Sequence, residues 1–156
     1  MSKSLKRVKR TAEELGLTID VVETTIDTHT AEQAAQSQNC HVDQIAKSII
    51  FRGETSGTAI LFLTAGGNRV DGDKASALAN EPLGKADAAL IRAQTGFAIG
   101  GVSPIGHLNP IKTFIDPRLM EFDELWAAAG TPRHVFAISP QVLVDVTGAV
   151  VADFTA

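Results

Sequence analysis

Residues 95–110, TGFAIGGVSPIGHLNP, set four glycines and two prolines among sixteen positions, with one serine, one histidine and no acidic side chain. Glycine permits positive φ and lets main-chain N–H groups turn toward a ligand, while Pro104 fixes its own φ and removes one donor. Such a loop can offer N–H groups to a carbonyl oxygen or to the oxyanion it becomes, an effect often worth about 10²–10³ in rate. It can equally be a rigid connection, and composition alone does not separate the two. Ser103 is not read as a covalent nucleophile. GGVSPIG lacks the G-x-S-x-G spacing, and Pro104 would spoil the strand-to-helix elbow that exposes such a serine.

A lysine is the other residue placed to do chemistry. If IAKSIIF is a strand, its period of two puts Ile45, Lys47, Ile49 and Phe51 on one row, with Ala46, Ser48, Ile50 and Arg52 opposite. The Lys47 row is the bulkier and is expected to face the core. Its ammonium then either snorkels at the strand end or points into a cleft. In a cleft it would be a compact charge with three donors, suited to an electrophile or a phosphate anchor.

Metal chemistry finds no pattern. His29, His41, His107 and His134 fall in no H-x-H or H-x-x-x-H spacing, and Cys40 is the only cysteine. GGNRVDGDK is glycine-rich without the spacing of a phosphate-binding P-loop. A lone cysteine allows no internal disulfide and fits a reducing, cytoplasmic setting. Cys40 is read as a small hydrophobe, not a nucleophile.

These residues need elements to hold them. SLKRVKRTAEELG has Leu5, Val8, Ala12 and Leu15 at helical spacing, with Gly16 to stop it. LTIDVVET reads as a strand. THTAEQAAQSQN reads as a helix capped by Thr30, with Gln33 completing a capping box. AKSIIFRGETSGTAILFLT is the clearest hairpin, two β-rich runs around Gly53, Ser56 and Gly57. A turn, a short strand at Arg69 and Val70, and a helix opened by Asp71 or Asp73 follow. KADAALIRAQTG is a helix closed by Gly96, IKTFID a strand and PRLM a turn. ELWAAA and RHVFAIS pair around Gly130, Thr131 and Pro132. SPQVLVDVTG opens as a helix at Ser139 and Pro140, and AVVADFT closes as a strand. Hairpins are as frequent as helix-strand alternation, so a mixed α+β fold is expected over a doubly wound parallel sheet.

At 156 residues the chain is expected to form one domain, and 44% hydrophobic with 21% charged residues argues against disorder. No apolar run reaches the ~20 residues of a membrane span, and no signal-peptide pattern opens the chain. The formal charge is −4, yet Lys3, Lys6, Arg7, Lys9 and Arg10 put five of the fourteen basic residues in the first ten positions. That cluster is either a solvated helix start or a local patch for phosphates. A general nucleic-acid binder is disfavoured by the acidic balance and by 5% aromatic content with no tyrosine, which leaves little for base stacking.

Taken together, THTAEQAA, IAKSIIF, RVDGDK, TGFAIGGVSPIGH and the following FID resemble the YbaK/ProX family, free-standing relatives of the editing domain inserted in bacterial prolyl-tRNA synthetases. The order matches over nearly the whole chain, residues 1–156, as a single YbaK-like domain. The resemblance implies a curved, partly closed sheet with flanking helices. It also implies trans-acting hydrolysis of mischarged aminoacyl-tRNA, most often tRNA for proline carrying a smaller amino acid, with no cofactor or metal. Prolyl-tRNA synthetase is the protein partner it suggests, and no membrane is involved.

The family lysine falls on Lys47, and the G-x-x-x-P loop on Gly100, Gly101, Val102, Ser103 and Pro104. The expectation is that N–H groups from Gly101 to Ser103 hold the ester carbonyl while Lys47 anchors the terminal adenosine or its phosphate. A further pocket position falls near His134, where the cysteine-specific branch carries an acid; this departure points toward clearing alanine or similarly small residues. His134 would orient water or shape the pocket. Thr30 is first a helix cap, in a segment that the family places beside the pocket edge; Val102 and Ile105 are candidates for its walls, and His107 is a loop-packing or rim residue. A non-catalytic module that captures tRNA ends or docks on a synthetase is the alternative.

Overall fold

The computed structural model describes residues 2–24 and 30–156. Thr28 and His29, which open the THTAEQAA motif, lie outside the described residues. Helix α1 (Lys3–Glu14) starts where Ser2 Oγ accepts from Leu5 N at 3.1 Å, and it buries Leu5, Val8 and Ala12. Leu15, grouped with them by spacing, is its C-cap and stays 43% exposed. The strand expected over LTIDVVET shrinks to β1 (Val21–Glu23). Helix α2 (Ala31–Gln38) has the expected capping box: Thr30 Oγ1 accepts from Gln33 N at 3.1 Å, and Thr30 N donates to Gln33 Oε1 at 3.2 Å.

The hairpin forms as β2 (Ala46–Gly53) and β3 (Ala59–Ala65). Asp71 caps α3 (Gly72–Ala79), and a strand absent from the sequence reading follows, β4 (Leu83–Lys85). Helix α4 (Ala88–Thr95) ends at Gly96, β5 (Lys112–Ile115) leads into a 3-10 turn at Pro117–Glu121, and β6 (Leu125–Thr131) pairs with β7 (His134–Ile138). Ser139 and Pro140 open α5 (Pro140–Thr147), and the closing strand is only β8 (Val150–Val151).

The strands form two sheets, β4-β2-β3-β5-β8 and β1-β7-β6. The first is mixed, with β3-β5 and β5-β8 parallel and the rest antiparallel; the second is antiparallel throughout. A parallel bridge between Ile45 and Trp126 ties them at one corner. The fold is thus mixed α+β, as the pattern implied. Among the described residues no helix is long and apolar enough to cross a membrane.

Every residue of β3 is buried, because both faces of the larger sheet are covered. Leu61 and Leu63 join the main core with Ala46, Leu5, Phe97, Leu125 and Phe136, so one core joins both sheets and α1. Ile60 and Phe62 face a smaller core with Phe114 and Phe154, where Phe62 stacks on Phe114 at 5.3 Å. Ile49 and Phe51 pack on this second core, and Ile50 on the main one. The bulky row carrying Lys47 therefore faces the smaller core. Within β2 that row is only half-buried, and it is Ala46 and Ile50 of the opposite row that meet the main core.

Candidate active site

Beside the Ile45–Trp126 bridge lies a cavity of about 220 Å³. Beta2 supplies Ala46, Lys47, Ser48 and Ile49, and the smaller sheet supplies Trp126, Ala127, Ala128, Thr131 and Val135. Helix α2 adds Ala31 and Ala34 with its cap Thr30, and the glycine loop adds Gly100 and Val102. Alanines make much of the wall, which is how backbone elements this close leave any space. The volume falls below the ~300–1,000 Å³ usual for pockets that take drug-sized ligands.

The loop reaches the cavity through two glycines with different tasks. Gly100 has φ of 92°, a conformation that side-chain-bearing residues rarely hold. Gly101 passes so close to β6 that a Cβ there would lie 2.8 Å from Thr131 Cα. The Gly101 N–H is already spent on Ala98 O at 3.1 Å. Among the described residues, no hydrogen bond uses the N–H of Gly100, Val102 or Ser103. Of these three, Gly100 and Val102 line the cavity, while Ser103 is fully buried behind it.

Lys47 is half-buried and lines both the cavity and a neighbouring hollow of about 530 Å³ with Glu32, Phe51, Asn68 and Arg69. Its Nζ donates to Asn68 O at 2.7 Å. Asn68 is held in turn: its Nδ2 donates to Asp116 Oδ2 at 2.9 Å, which also accepts from Ala65 N at 3.1 Å. Asp116 Oδ1 accepts from Arg118 N at 2.9 Å. Arg118 Nε then meets Asp43 Oδ2 at 3.0 Å, and Asp43 Oδ1 receives Gly67 N at 2.8 Å. Two carboxylates thus fix the turn after β3 whose carbonyl aims the lysine. Burial lowers the Lys47 pKa below its ordinary value, Arg69 reinforcing the shift and Glu32, Asp116 and Asp43 opposing it. An ammonium has three donors, so two remain for a ligand.

The expected site residues separate into groups. Thr30, Lys47, Gly100 and Val102 meet around the cavity. Gly101 and Ser103 lie behind that surface. Pro104, Ile105 and His107 face a different hollow, of about 360 Å³, with Thr11, Leu15 and Val146. There His107 Nε2–H donates to Ser103 O at 2.7 Å and its ring stands edge-on to Phe97. Burial, with Arg7 nearby, lowers the His107 pKa from 6.5 despite the carbonyl partner. Arg7 braces the same side: Nε donates to Gly106 O at 2.8 Å, and the guanidinium lies 4.4 Å from the Phe97 centroid. One member of the basic N-terminal cluster is therefore turned inward, while Lys3, Lys6 and Arg10 stay exposed. His134 does not line the cavity. Its Nδ1 lies 2.6 Å from Thr131 Oγ1, and Thr131 does line it.

Sequence reasoning missed Ser48, Trp126, Thr131 and the Asn68–Asp116 support. A serine in a β-branched strand was the available sign for Ser48. Nothing local linked Asp116 to a lysine 69 positions earlier.

The sequence model of the aminoacyl-tRNA editing domain matches residues 25–146. The chain belongs to that family. A crystal structure titled as a candidate trans-editing enzyme for prolyl tRNA synthetase superposes on this editing domain with a TM-score of 0.93 and 44% identity, covering 100% of this chain and 99% of that one. The uncharacterized protein YwhH of Bacillus subtilis (strain 168) is 30% identical over 140 residues, 90% of this chain and 88% of its own. EbsC of Enterococcus faecalis (strain ATCC 700802 / V583), named as a candidate Cys-tRNA(Pro)/Cys-tRNA(Cys) deacylase, is 24% identical over 126 residues, 80% of this chain and 76% of its own.

Proposed function

We propose that this editing domain acts in trans to hydrolyse the ester of mischarged tRNA, with tRNA for proline carrying a small residue such as alanine as its substrate. One observation carries the reading: a small, alanine-walled cavity has Lys47 at its junction with a larger hollow, and among its lining residues are Gly100 and Val102, whose N–H groups no hydrogen bond uses among the described residues. The acyl group enters the cavity, where larger side chains are excluded by volume. The terminal adenosine occupies the larger hollow, and Lys47 holds its ribose or phosphate oxygens.

An aminoacyl ester is already reactive, so positioning and charge stabilisation suffice. Water adds to the ester carbonyl carbon, and the N–H groups of Gly100 and Val102 take the oxyanion. The carbonyl re-forms, the bond to the ribose oxygen breaks, and the proton lost by water ends on that oxygen. Free amino acid and uncharged tRNA leave. His134 contributes by fixing Thr131 in the wall. Residues 1–156 work as one domain in this reading, in the cytoplasm beside prolyl-tRNA synthetase.

The test is a panel of tRNAs for proline charged with alanine, cysteine, serine and 2-aminobutyrate, with ester loss followed over time. Turnover fastest on alanine is expected. Tight binding with no turnover on any member would instead leave a module that captures tRNA ends.

A further inference from the structure

The hollow beyond Lys47 carries more charge than the cavity does. Lys47, Arg69 and Glu32 line it, with Ile49, Phe51 and Val70 as its apolar surface. Two cations thus share the hollow with one exposed carboxylate, and the balance favours an anion. The other acids that bear on Lys47, Asp43 and Asp116, are already engaged with Arg118, Gly67, Ala65 and Asn68.

The two cations are not alike. The Lys47 ammonium belongs to a half-buried side chain and is tied to Asn68 O. Arg69 is exposed, and among the described residues its guanidinium makes no hydrogen bond, ion pair or ring contact. Its backbone, by contrast, is held. Arg69 O accepts from Ala156 N at 3.0 Å, Val70 bridges to Thr155, and Asn68 is fixed to Asp116. An exposed arginine alone says little, but this one stands on an anchored backbone in the same concave site as Lys47. A free guanidinium has five donors in a planar fork, which matches two phosphate oxygens at once.

We propose that Arg69 receives the phosphate on the 5′ side of the terminal adenosine, leaving Lys47 to the ribose oxygens nearest the ester. The proposal rests on the reading of the cavity as the acyl pocket. Ester, ribose and 5′-phosphate follow one another along such a substrate, as the cavity, Lys47 and the wider hollow do along the site. Ile49, Phe51 and Val70 offer apolar surface to the base. Neither cation reads the amino acid, so Arg69 adds affinity for the tRNA end while the cavity alone selects the acyl group. A nucleotide is thereby told from a bare nucleoside.

The probes are two hydrolysis-resistant analogues, 3′-alanylamido-3′-deoxyadenosine with and without a 5′-phosphate. Calorimetry on the wild type is expected to show roughly 10- to 100-fold tighter binding of the phosphorylated form, the range for hydrogen bonds to charged groups. Arg69→Gln should erase that preference while holding the affinity for the nucleoside form within about twofold. Its melting temperature should be unchanged, since the guanidinium makes none of the fold's contacts. No phosphate preference in the wild type, a preference that survives in Arg69→Gln, or equal losses on both analogues would overturn the proposal. The expected loss of preference in Arg69→Gln, alongside a wild type that turns over no charged tRNA, would sink the deacylase reading alone.

Discussion

The two sides of the glycine loop differ in what their polar groups are doing. On the cavity side, Gly100 and Val102 hold unspent N–H groups beside a lysine with donors to spare. On the rear side the groups are engaged: Arg7 takes the Gly106 carbonyl, His107 takes that of Ser103, and the Ser103 hydroxyl accepts from Ile105 N at 3.3 Å. A loop can leave donors open on one surface only if the other is held rigidly. Catalytic and structural loss should therefore separate across the same ten residues.

Lys47→Ala probes the open side most directly. Its ammonium makes one hydrogen bond within the described residues, so the fold should survive while kcat/KM on alanyl-tRNA for proline falls about 100-fold. Unchanged turnover would end the anchoring role. Gly101→Ala sits on the boundary and should damage both properties. The added methyl meets the β6 backbone, so an activity loss of about tenfold should accompany about 1–3 kcal/mol of destabilisation in urea unfolding. Arg7→Ala attacks the rear alone. Two carbonyl contacts and the Phe97 face are lost, costing about 1–2 kcal/mol, and kcat should stay within about threefold of the wild type. A collapse of kcat at full stability would erase the distinction between the two sides.

His107 gives the smallest and most selective effect. Its folded pKa is below the unfolded 6.5, so the native state binds fewer protons there and stability rises with pH. Its contribution is complete above about pH 6.5 and is lost as pH falls below that value. Urea midpoints measured from pH 7.5 to 5 should decline, and His107→Gln should flatten that part of the slope. An identical slope in the variant would remove His107 as the cause.

Much of the frame was legible because it is local. The Thr30–Gln33 capping box, the β2–β3 hairpin and the start of α5 are each specified within a few residues. Glycines at 100 and 101 signalled an unusual loop, though not that one N–H would be spent on Ala98. Beta4 was missed because Leu83, Gly84 and Lys85 carry no periodic pattern and become a strand only by pairing with β2. The preference of β2 for two cores, the Asp116 support of Lys47 and the meeting of Lys47 with Arg69 in one hollow are all long-range facts. Alternation names two rows without saying what lies across from either.

The bridge between Ile45 and Trp126 sets the cavity between walls drawn from two different sheets. Lys47 and its supporting carboxylate belong to the larger sheet and its following turn, while Trp126, Ala127 and Ala128 belong to the smaller one. Substitutions in the smaller sheet can resize the cavity, the acyl space of the proposed reading, while the hydrogen bonds that hold Lys47 stay untouched. In the proposed reading, a few substitutions in the smaller-sheet wall would change which amino acid the cavity admits while the residues proposed to anchor the substrate stay as they are.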